Sequence, residues 1–387
     1  MQLLIYSHFF LPSIGGVETV VLALASGLSE RRSGNESAIF AVTLVTQTPA
    51  GDYPDELLPF RIIRQPTSSH LRRLIREADV IHVAGAAMAP IVYGLIAGKP
   101  IVVEHHGFHH ICPTGQLLQE PHNVPCPGHF MAGHHSSCLR CSPHPDRIKS
   151  LRLWLLTFVR RFLLRRVEVN IAPTSWLATQ LQLPRSVTVH HGLLASPPLI
   201  KTSGPRSTPV VAFMGRLVTT KGIRLLLEAC KILKQEKRSF ELLIIGDGPE
   251  RASLERLVRE WGLTSRVQFL GRVSQSQIPR VLEKAAFVVV PSLGGEVFGM
   301  VVAENMLYGI PVLASDLGSF VEVLGDAGLT FKTGDPFDLA RQMARLVDDT
   351  SLLERFRTSA RQRMLASFPM SRMIDGHAEI YRRLASK

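Results

Sequence analysis

Val210-Val211-Ala212-Phe213-Met214-Gly215-Arg216-Leu217-Val218-Thr219-Thr220-Lys221-Gly222 is the stretch on which the reading of the fold turns. Five apolar residues are too few for a buried helix and suit a strand covered on both faces. The glycine that follows ends the run, and Ile223–Glu236 then shows helical spacing. The same strand-then-helix rhythm continues downstream. Glu241–Ile245 reads as a strand, Arg251–Trp261 as a helix, and Val267–Leu270, Phe287–Pro291 and Val312–Ala314 as further strands. Such alternation predicts a parallel sheet with helices on both faces. Upstream, Leu3–Tyr6, Ala41–Val45, Val80–Val83 and Ile101–Val103 read as a second set of buried strands, with a helix over Gly16–Glu30. Ala195–Pro209 is rich in Pro, Ser, Thr and Gly, the composition of a linker. The expected organisation is an N-terminal Rossmann-like domain over 1–192, a linker over 193–209, a second Rossmann-like domain over 210–366, and a C-terminal helix within 367–387 packing back toward the first domain. Two such α/β domains are expected to face each other across a cleft.

Bulk properties agree with a folded enzyme-sized chain. At 387 residues, 45% hydrophobic and 20% charged, it can bury two cores and is not disordered. A net charge of +12 favours anionic partners. The most apolar stretch, Val83–Gly98, contains Pro90 and falls short of the roughly 20 residues that span a bilayer. The N-terminus reads as a first strand rather than a leader, so the expected compartment is the cytoplasm, with the inner membrane face as an adjoining site.

Several loops at strand ends carry chemistry. In Glu296-Val297-Phe298-Gly299-Met300-Val301-Val302-Ala303-Glu304, two carboxylates flank a Phe-Gly turn that opens a helix running to about Tyr308, capped by Gly309 and stopped by Pro311. The N–H groups of Phe298, Gly299 and Met300 would be unpaired at the helix start, and carboxylates accept hydrogen bonds from hydroxyl pairs. Spacing alone leaves solvated helix charges as an equal alternative. Arg216 and Lys221 follow a strand's carboxyl end and suit a diphosphate. Gly246 and Gly248 permit a tight turn after the next strand, and Gly271-Arg272-Val273 follows the one after. Gly15 and Gly16 precede the first helix, where backbone can approach a phosphate. His105 and His106 end another strand, in Val103-Glu104-His105-His106-Gly107.

These loops resemble the retaining, nucleotide-sugar-dependent family 4 glycosyltransferases of the GT-B fold, whose C-terminal domain carries Glu, seven residues, Glu, then a Gly-Pro turn, here Glu296 to Glu304 followed by Gly309-Ile310-Pro311. The resemblance is densest from Phe213 to Asp335. It implies that Glu296 grips donor-sugar hydroxyls and Glu304 the ribose. Arg216 and Lys221 would stabilise the diphosphate in place of a metal, consistent with the lack of an Asp-any-Asp motif. Gly246, Gly248, Arg272 and Val273 would line the nucleotide side, and Gly15-Gly16 would close on the phosphates. His105 would approach the donor sugar, with His106 where Asp is usual. Asn305 stands where Ala is usual and is expected to face packing. No catalytic cofactor is implied, and the acceptor would be a carbohydrate or a lipid-linked precursor. A phosphorylase or a nucleotide-sugar epimerase of the same fold is the alternative. A zinc-containing nucleic-acid-binding protein is a remote one, since no nucleic-acid reading module is present.

Four of five cysteines, Cys112, Cys126, Cys138 and Cys141, fall in a Cys/His-rich insertion at about 105–145 that also holds nine of the fifteen histidines. A structural Zn²⁺, packed thiols and a redox disulfide are all compatible with the spacing. The insertion is expected to shape the acceptor side. From Arg147 to Arg166, seven basic residues and no acidic ones interleave with Leu, Phe, Val and Trp. That pattern fits either a helix lying on an anionic membrane or a core helix with a solvated basic face.

Overall fold

A computed structural model describes the chain except residues 14, 33–37, 52, 121, 142–146, 194–198, 201–207 and 387. Most of the expected linker therefore lies outside the described residues. The chain divides into two compact units: Met1–Gly115 with Gly128–Leu194 and Phe368–Lys387, and Gln116–Pro127 with Ala195–Ser367.

The strands of the chain are β1 (Gln2–Ser7), β2 (Ala41–Thr46), β3 (Arg61–Arg64), β4 (Val80–Ala84), β5 (Ile101–Glu104), β6 (Leu118–Gln119), β7 (Val124–Pro125), β8 (Val169–Ala172), β9 (Ser186–Thr188), β10 (Val210–Met214), β11 (Glu241–Ile245), β12 (Val267–Gly271), β13 (Phe287–Val290), β14 (Val312–Ser315) and β15 (Leu329–Phe331). The first unit holds a seven-stranded sheet in the order β3-β2-β1-β4-β5-β8-β9. The second holds a six-stranded sheet in the order β12-β11-β10-β13-β14-β15. Every described pairing in both sheets is parallel. In each sheet the strand order reverses beside the first strand of the unit, at β1/β4 and β10/β13. Open α/β sheets bind ligands at the carboxyl ends of strands at such a point.

The cores follow from the apolar runs. Leu4, Ile5, Val83 and Val102 fill the first unit, and Val211, Phe213, Ile244, Phe287 and Leu313 the second, each at most 2% exposed. Four strands of the two parallel sheets escape the sequence reading. β3 has arginines on either side of Ile62-Ile63, β9 is half-buried throughout, β15 has three residues, and β8 carries Asn170 in its middle.

One expectation about segments is revised. The insertion at 105–145 does not belong wholly to the first unit. Its β6–β7 hairpin joins the second, where Leu118 is 1% exposed within the core and the carbonyl of Gln116 lies against Gly294. The helix Thr350–Ser367 stays with the second unit, while Met370–Ala385 packs on the first through Ile374, which lies against Gly27, and the buried Tyr381. Phe213→Ala should cost the second unit about 3–5 kcal/mol by leaving a cavity under its sheet. Phe337→Ala, at a site 72% exposed, should leave the melting temperature nearly unchanged. Thermal melts of the two variants check this, and equal losses would contradict the core assignment.

Candidate functional site

In the second unit the loops after β10 and β13 are fastened to each other. Gly222 adopts φ +68° and starts the helix Ile223–Gln235. A Cβ there would lie 1.9 Å from the carbonyl oxygen of Pro291, so only glycine admits this approach. The N–H of Leu293 donates to the Thr220 carbonyl at 2.8 Å. This contact brings the Lys221 ammonium onto the Glu296 carboxylate as an ion pair. Ser292 Oγ donates to the same Glu296 oxygen at 2.9 Å, and Ser319 Oγ donates to the Glu296 backbone carbonyl at 2.9 Å. Ser292 and Ser319 escaped the sequence reading. Arg216, by contrast, is exposed and forms no ion pair among the described residues.

The glycines of the loop after β11 serve the same close packing. A Cβ on Gly246 would lie 1.9 Å from the Gly215 carbonyl oxygen, and one on Gly248 2.4 Å from that of Leu217. The Gly246 N–H donates to the Gly271 carbonyl at 2.8 Å, which aligns the loop after β11 with the exposed Arg272 and half-buried Val273 after β12. Gly299 adopts φ +95° at the start of the helix Met300–Leu307, over the ring of Phe320. The Phe298 side chain is buried in the core, and Met300 is half-buried. Asn305 is buried, and its Nδ2 donates to the Val301 carbonyl at 2.7 Å, a packing role as expected. Glu304, one turn into the helix, is titrated up to about 7 by burial.

The first unit has its own cavity of about 540 Å³ at the carboxyl ends of β1, β4 and β5, lined by Ser7, Phe9, Gly85, His105, His109 and Arg160 among others. His105 is 3% exposed and its Nε2 lies 3.0 Å from Asn170 Oδ1. Asn170 Nδ2 donates to the carbonyls of Leu164 and Pro184, so Oδ1 must face the ring. Nε2 of His105 therefore carries the proton and Nδ1 is an acceptor. Burial lowers this imidazole to about 4, against the pull of the Asn170 hydrogen bond. At neutral pH His105 is an uncharged hydrogen-bonding group. Gly15 has extended backbone before the helix Gly16–Ser29, and the carboxylate of Glu18 lies against it, so an anion there meets an acidic side chain as well as the helix start.

His106 is drawn inward. It lies 3.4 Å from the fully buried Glu104, which is also approached by His82, His191 and His377. Burial opposes charge on Glu104, yet the imidazoles of His106, His377 and His191 hold its carboxyl well below the ordinary value. The sequence gives one signal for this cluster: a His and a Glu inside the otherwise apolar strands β4 and β5. The spacing of the cysteines leaves a structural Zn²⁺, packed thiols and a redox disulfide open. All five are thiols. Cys126 belongs to the second unit, and Cys112, Cys138 and Cys141 form no group among the described residues with ligand atoms mutually within 4.8 Å. The groups that meet this spacing are both built on Glu104.

Among known proteins, the Glycosyltransferase Family 4 model matches residues 14–193 and the Glycosyl transferases group 1 model matches 200–363. Together they span nearly the whole chain, which belongs to the family 4 glycosyltransferases. A 2-deoxystreptamine glucosyltransferase of Streptomyces kanamyceticus is 37% identical over 36% of this chain and 37% of its own length. A phosphatidyl-myo-inositol mannosyltransferase of Mycobacterium leprae is 31% identical over 55% of this chain and 59% of its own. The chain thus spans between 37% and 59% of the length of these relatives. The structure of Anabaena HepE in complex with UDP-glucose superposes with a TM-score of 0.72 at 19% identity, covering 99% of this chain and 100% of that one. That likeness shows the GT-B fold, two parallel-sheet α/β domains.

The ordinary carboxyl value of 4.5 describes Glu304 in the unfolded chain, and about 7 the folded one. Stability contributed by its protonated form is therefore complete below about 4.5 and is lost as pH rises through about 7. The melting-temperature gain of Glu304→Gln over wild type should grow across that window and level off above it. A difference independent of pH between 4.5 and 8 would contradict the burial of this carboxyl.

Proposed function

We propose that this chain is a retaining glycosyltransferase that moves a sugar from a nucleoside-diphosphate donor to an acceptor. The observation that carries the reading is the Lys221–Glu296 pair, fixed by backbone contacts at the carboxyl ends of β10 and β13. A donor places both a departing diphosphate and a hydroxyl-bearing ring at such a pair. Lys221 turns its charge to the diphosphate, where the exposed Arg216 adds a second cation, and Glu296 accepts hydrogen bonds from the sugar. Glu304 accepts from the ribose hydroxyls. Gly246, Gly248, Arg272, Val273 and the N–H groups from Phe298 to Met300 flank the nucleotide, and Gly15-Gly16 approaches its phosphates. Neutral His105 accepts from a hydroxyl through Nδ1. Leaving-group stabilisation and positioning supply the rate, with the acceptor attacking the face from which the diphosphate leaves, and no metal cofactor takes part in the chemistry.

A thermal-shift panel of UDP-, GDP- and ADP-sugars identifies the donor, since a ligand at 100 times its Kd stabilises by about 2.7 kcal/mol. Free nucleoside diphosphate should appear only when acceptor is present, which separates transfer from epimerisation. Lys221→Ala and Glu296→Ala should each lower turnover about 100-fold or more with the fold retained. Turnover near wild type in both would remove the assignment.

For the acceptor, the helix Arg147–Leu164 supports a lipid-linked substrate presented at an anionic membrane. Ile148, Leu151, Leu155, Val159 and Phe162 form an exposed stripe at helical spacing, each between 45% and 66% exposed. Exposed Lys149, Arg152, Arg165 and Arg166 flank it without an acidic neighbour on the helix. Among the described residues no helix is long and apolar enough to cross a membrane, so this contact is peripheral. Cosedimentation should be strong with vesicles containing anionic lipid, weaken with salt, and fall with Leu155→Asp/Phe162→Asp. Equal recovery on neutral vesicles at every salt concentration would contradict it.

A further inference from the structure

Glu104 ends β5 with no exposure to solvent, and no Lys or Arg pairs with it among the described residues. Its neighbours are imidazoles: Nε2 of His82, His106 and His377 lie 3.3, 3.4 and 3.6 Å from Oε2. A dry carboxylate must be neutralised by protons on these rings or by a metal ion. The distances discriminate. A charged N–H···O⁻ bond is about 2.7–2.9 Å long. Two ligand atoms bound about 2.0–2.1 Å from a tetrahedral ion stand about 3.3–3.4 Å apart, an edge close to those seen here. None of these three Nε2 atoms, nor either oxygen of Glu104, has a hydrogen-bond partner, although all are buried.

Tautomers point the same way. His377 Nδ1 lies 2.9 Å from the Met373 carbonyl, which only accepts, so Nδ1 carries the proton. In the neutral ring, Nε2 then turns a lone pair toward a carboxylate oxygen. His82 Nδ1 lies 2.8 Å from the Tyr381 hydroxyl, which can accept from it and leave His82 Nε2 as a second lone pair. A carbonyl or hydroxyl on the far nitrogen is the usual outer partner of a metal-bound histidine. The ligand atoms of His82, Glu104 and His377 all lie within 4.8 Å of one another.

We infer that His82, Glu104 and His377 bind a divalent first-row transition metal, with Zn²⁺ the best match, as a structural site buried in the first unit. Two imidazoles and a carboxylate able to bind through both oxygens suit Zn²⁺, Fe²⁺ or Co²⁺, and exclude an ion that demands only oxygen ligands. His82 stands on β4, Glu104 on β5 and His377 on the helix Met370–Ala385. The ion thus ties the chain's last helix to the centre of the first sheet. It is distinct from the cysteine-bearing insertion and does not depend on the sugar-transfer reading.

Metal analysis of the full chain purified without chelator tests the site. The protein should hold about one equivalent that survives Cys138→Ser/Cys141→Ser and is lost in His377→Gln. Co²⁺ loaded into the metal-depleted wild type should give visible d–d bands without the near-ultraviolet thiolate charge-transfer band. Strong chelation should lower the wild-type melting temperature and leave His377→Gln unmoved. If His377→Gln does not fold, the Co²⁺ spectrum of wild type still decides. Wild type that takes up less than roughly a tenth of an equivalent from Zn²⁺, Fe²⁺ or Co²⁺ solutions overturns the inference, as does metal lost only with the cysteines.

Discussion

The ammonium of Lys221 rests on the carboxylate of Glu296 because two backbones meet first. Gly222 brings its α-carbon against the Pro291 carbonyl, and Leu293 bonds to Thr220. Both side chains are largely out of water, at 25% and 12% exposure. Such a pair gains less from its own attraction than it loses in desolvation unless further hydrogen bonds support it. Ser292 provides one to the carboxylate, and Ser319 fixes the Glu296 backbone. On the proposed reading the pair serves to recognise a ligand rather than to stabilise the fold. A diphosphate and a sugar hydroxyl would satisfy the two charges more fully than they satisfy each other.

The same economy of glycine runs along the strand ends of the second sheet. Gly246 and Gly248 are needed because the loops after β10 and β11 touch backbone to backbone, quite apart from any ligand. Glycines in a nucleotide-binding region are easily credited wholly to the ligand. Here a Cβ would meet protein carbonyls before it met a phosphate. The close packing holds the loops after β10 and β11 in a fixed frame, so on the proposed reading the structural and functional demands on these positions would coincide.

How much was legible depends on how much of the signal was local. Val210–Met214, Gly215 and the helix after it could be read because strand, turn and helix each occupy one uninterrupted run. β3 could not, because Arg61 and Arg64 break an already short apolar core, and β8 could not, because Asn170 interrupts it. Asn170 is there to orient His105, a relation spanning 65 residues that no local pattern contains. Lys221 and Glu296 were each recognisable in their own motifs, but their ion pair spans 75 residues. Glu104 stands in Val103-Glu104-His105-His106, where no local pattern sets it apart from its neighbours. Its importance comes from His82, His191 and His377, which the chain brings from three other segments. In the cysteine region the local signal pointed the other way. Proximity in sequence suggested one cluster, and the β6–β7 hairpin carries Cys126 into a different unit.

Glu304 shows how the site's resting state is tied to what it binds. Burial alone raises the carboxyl to about 7, so near neutral pH a substantial fraction is protonated and donates where it should accept. A ribose diol offers donors and favours the ionised form, so ligand binding and deprotonation are linked. Tyr308, one turn on, is itself raised by burial and by this carboxylate, and so stays a neutral hydroxyl. The helix Met300–Leu307 therefore presents a group whose charge is drawn out by the partner rather than held ready against it. That is the opposite of Glu296, whose charge is already matched by Lys221. One carboxylate is poised by an ion pair and the other by desolvation, and on the proposed reading the first would meet the end of the donor where charge departs and the second the end where it does not.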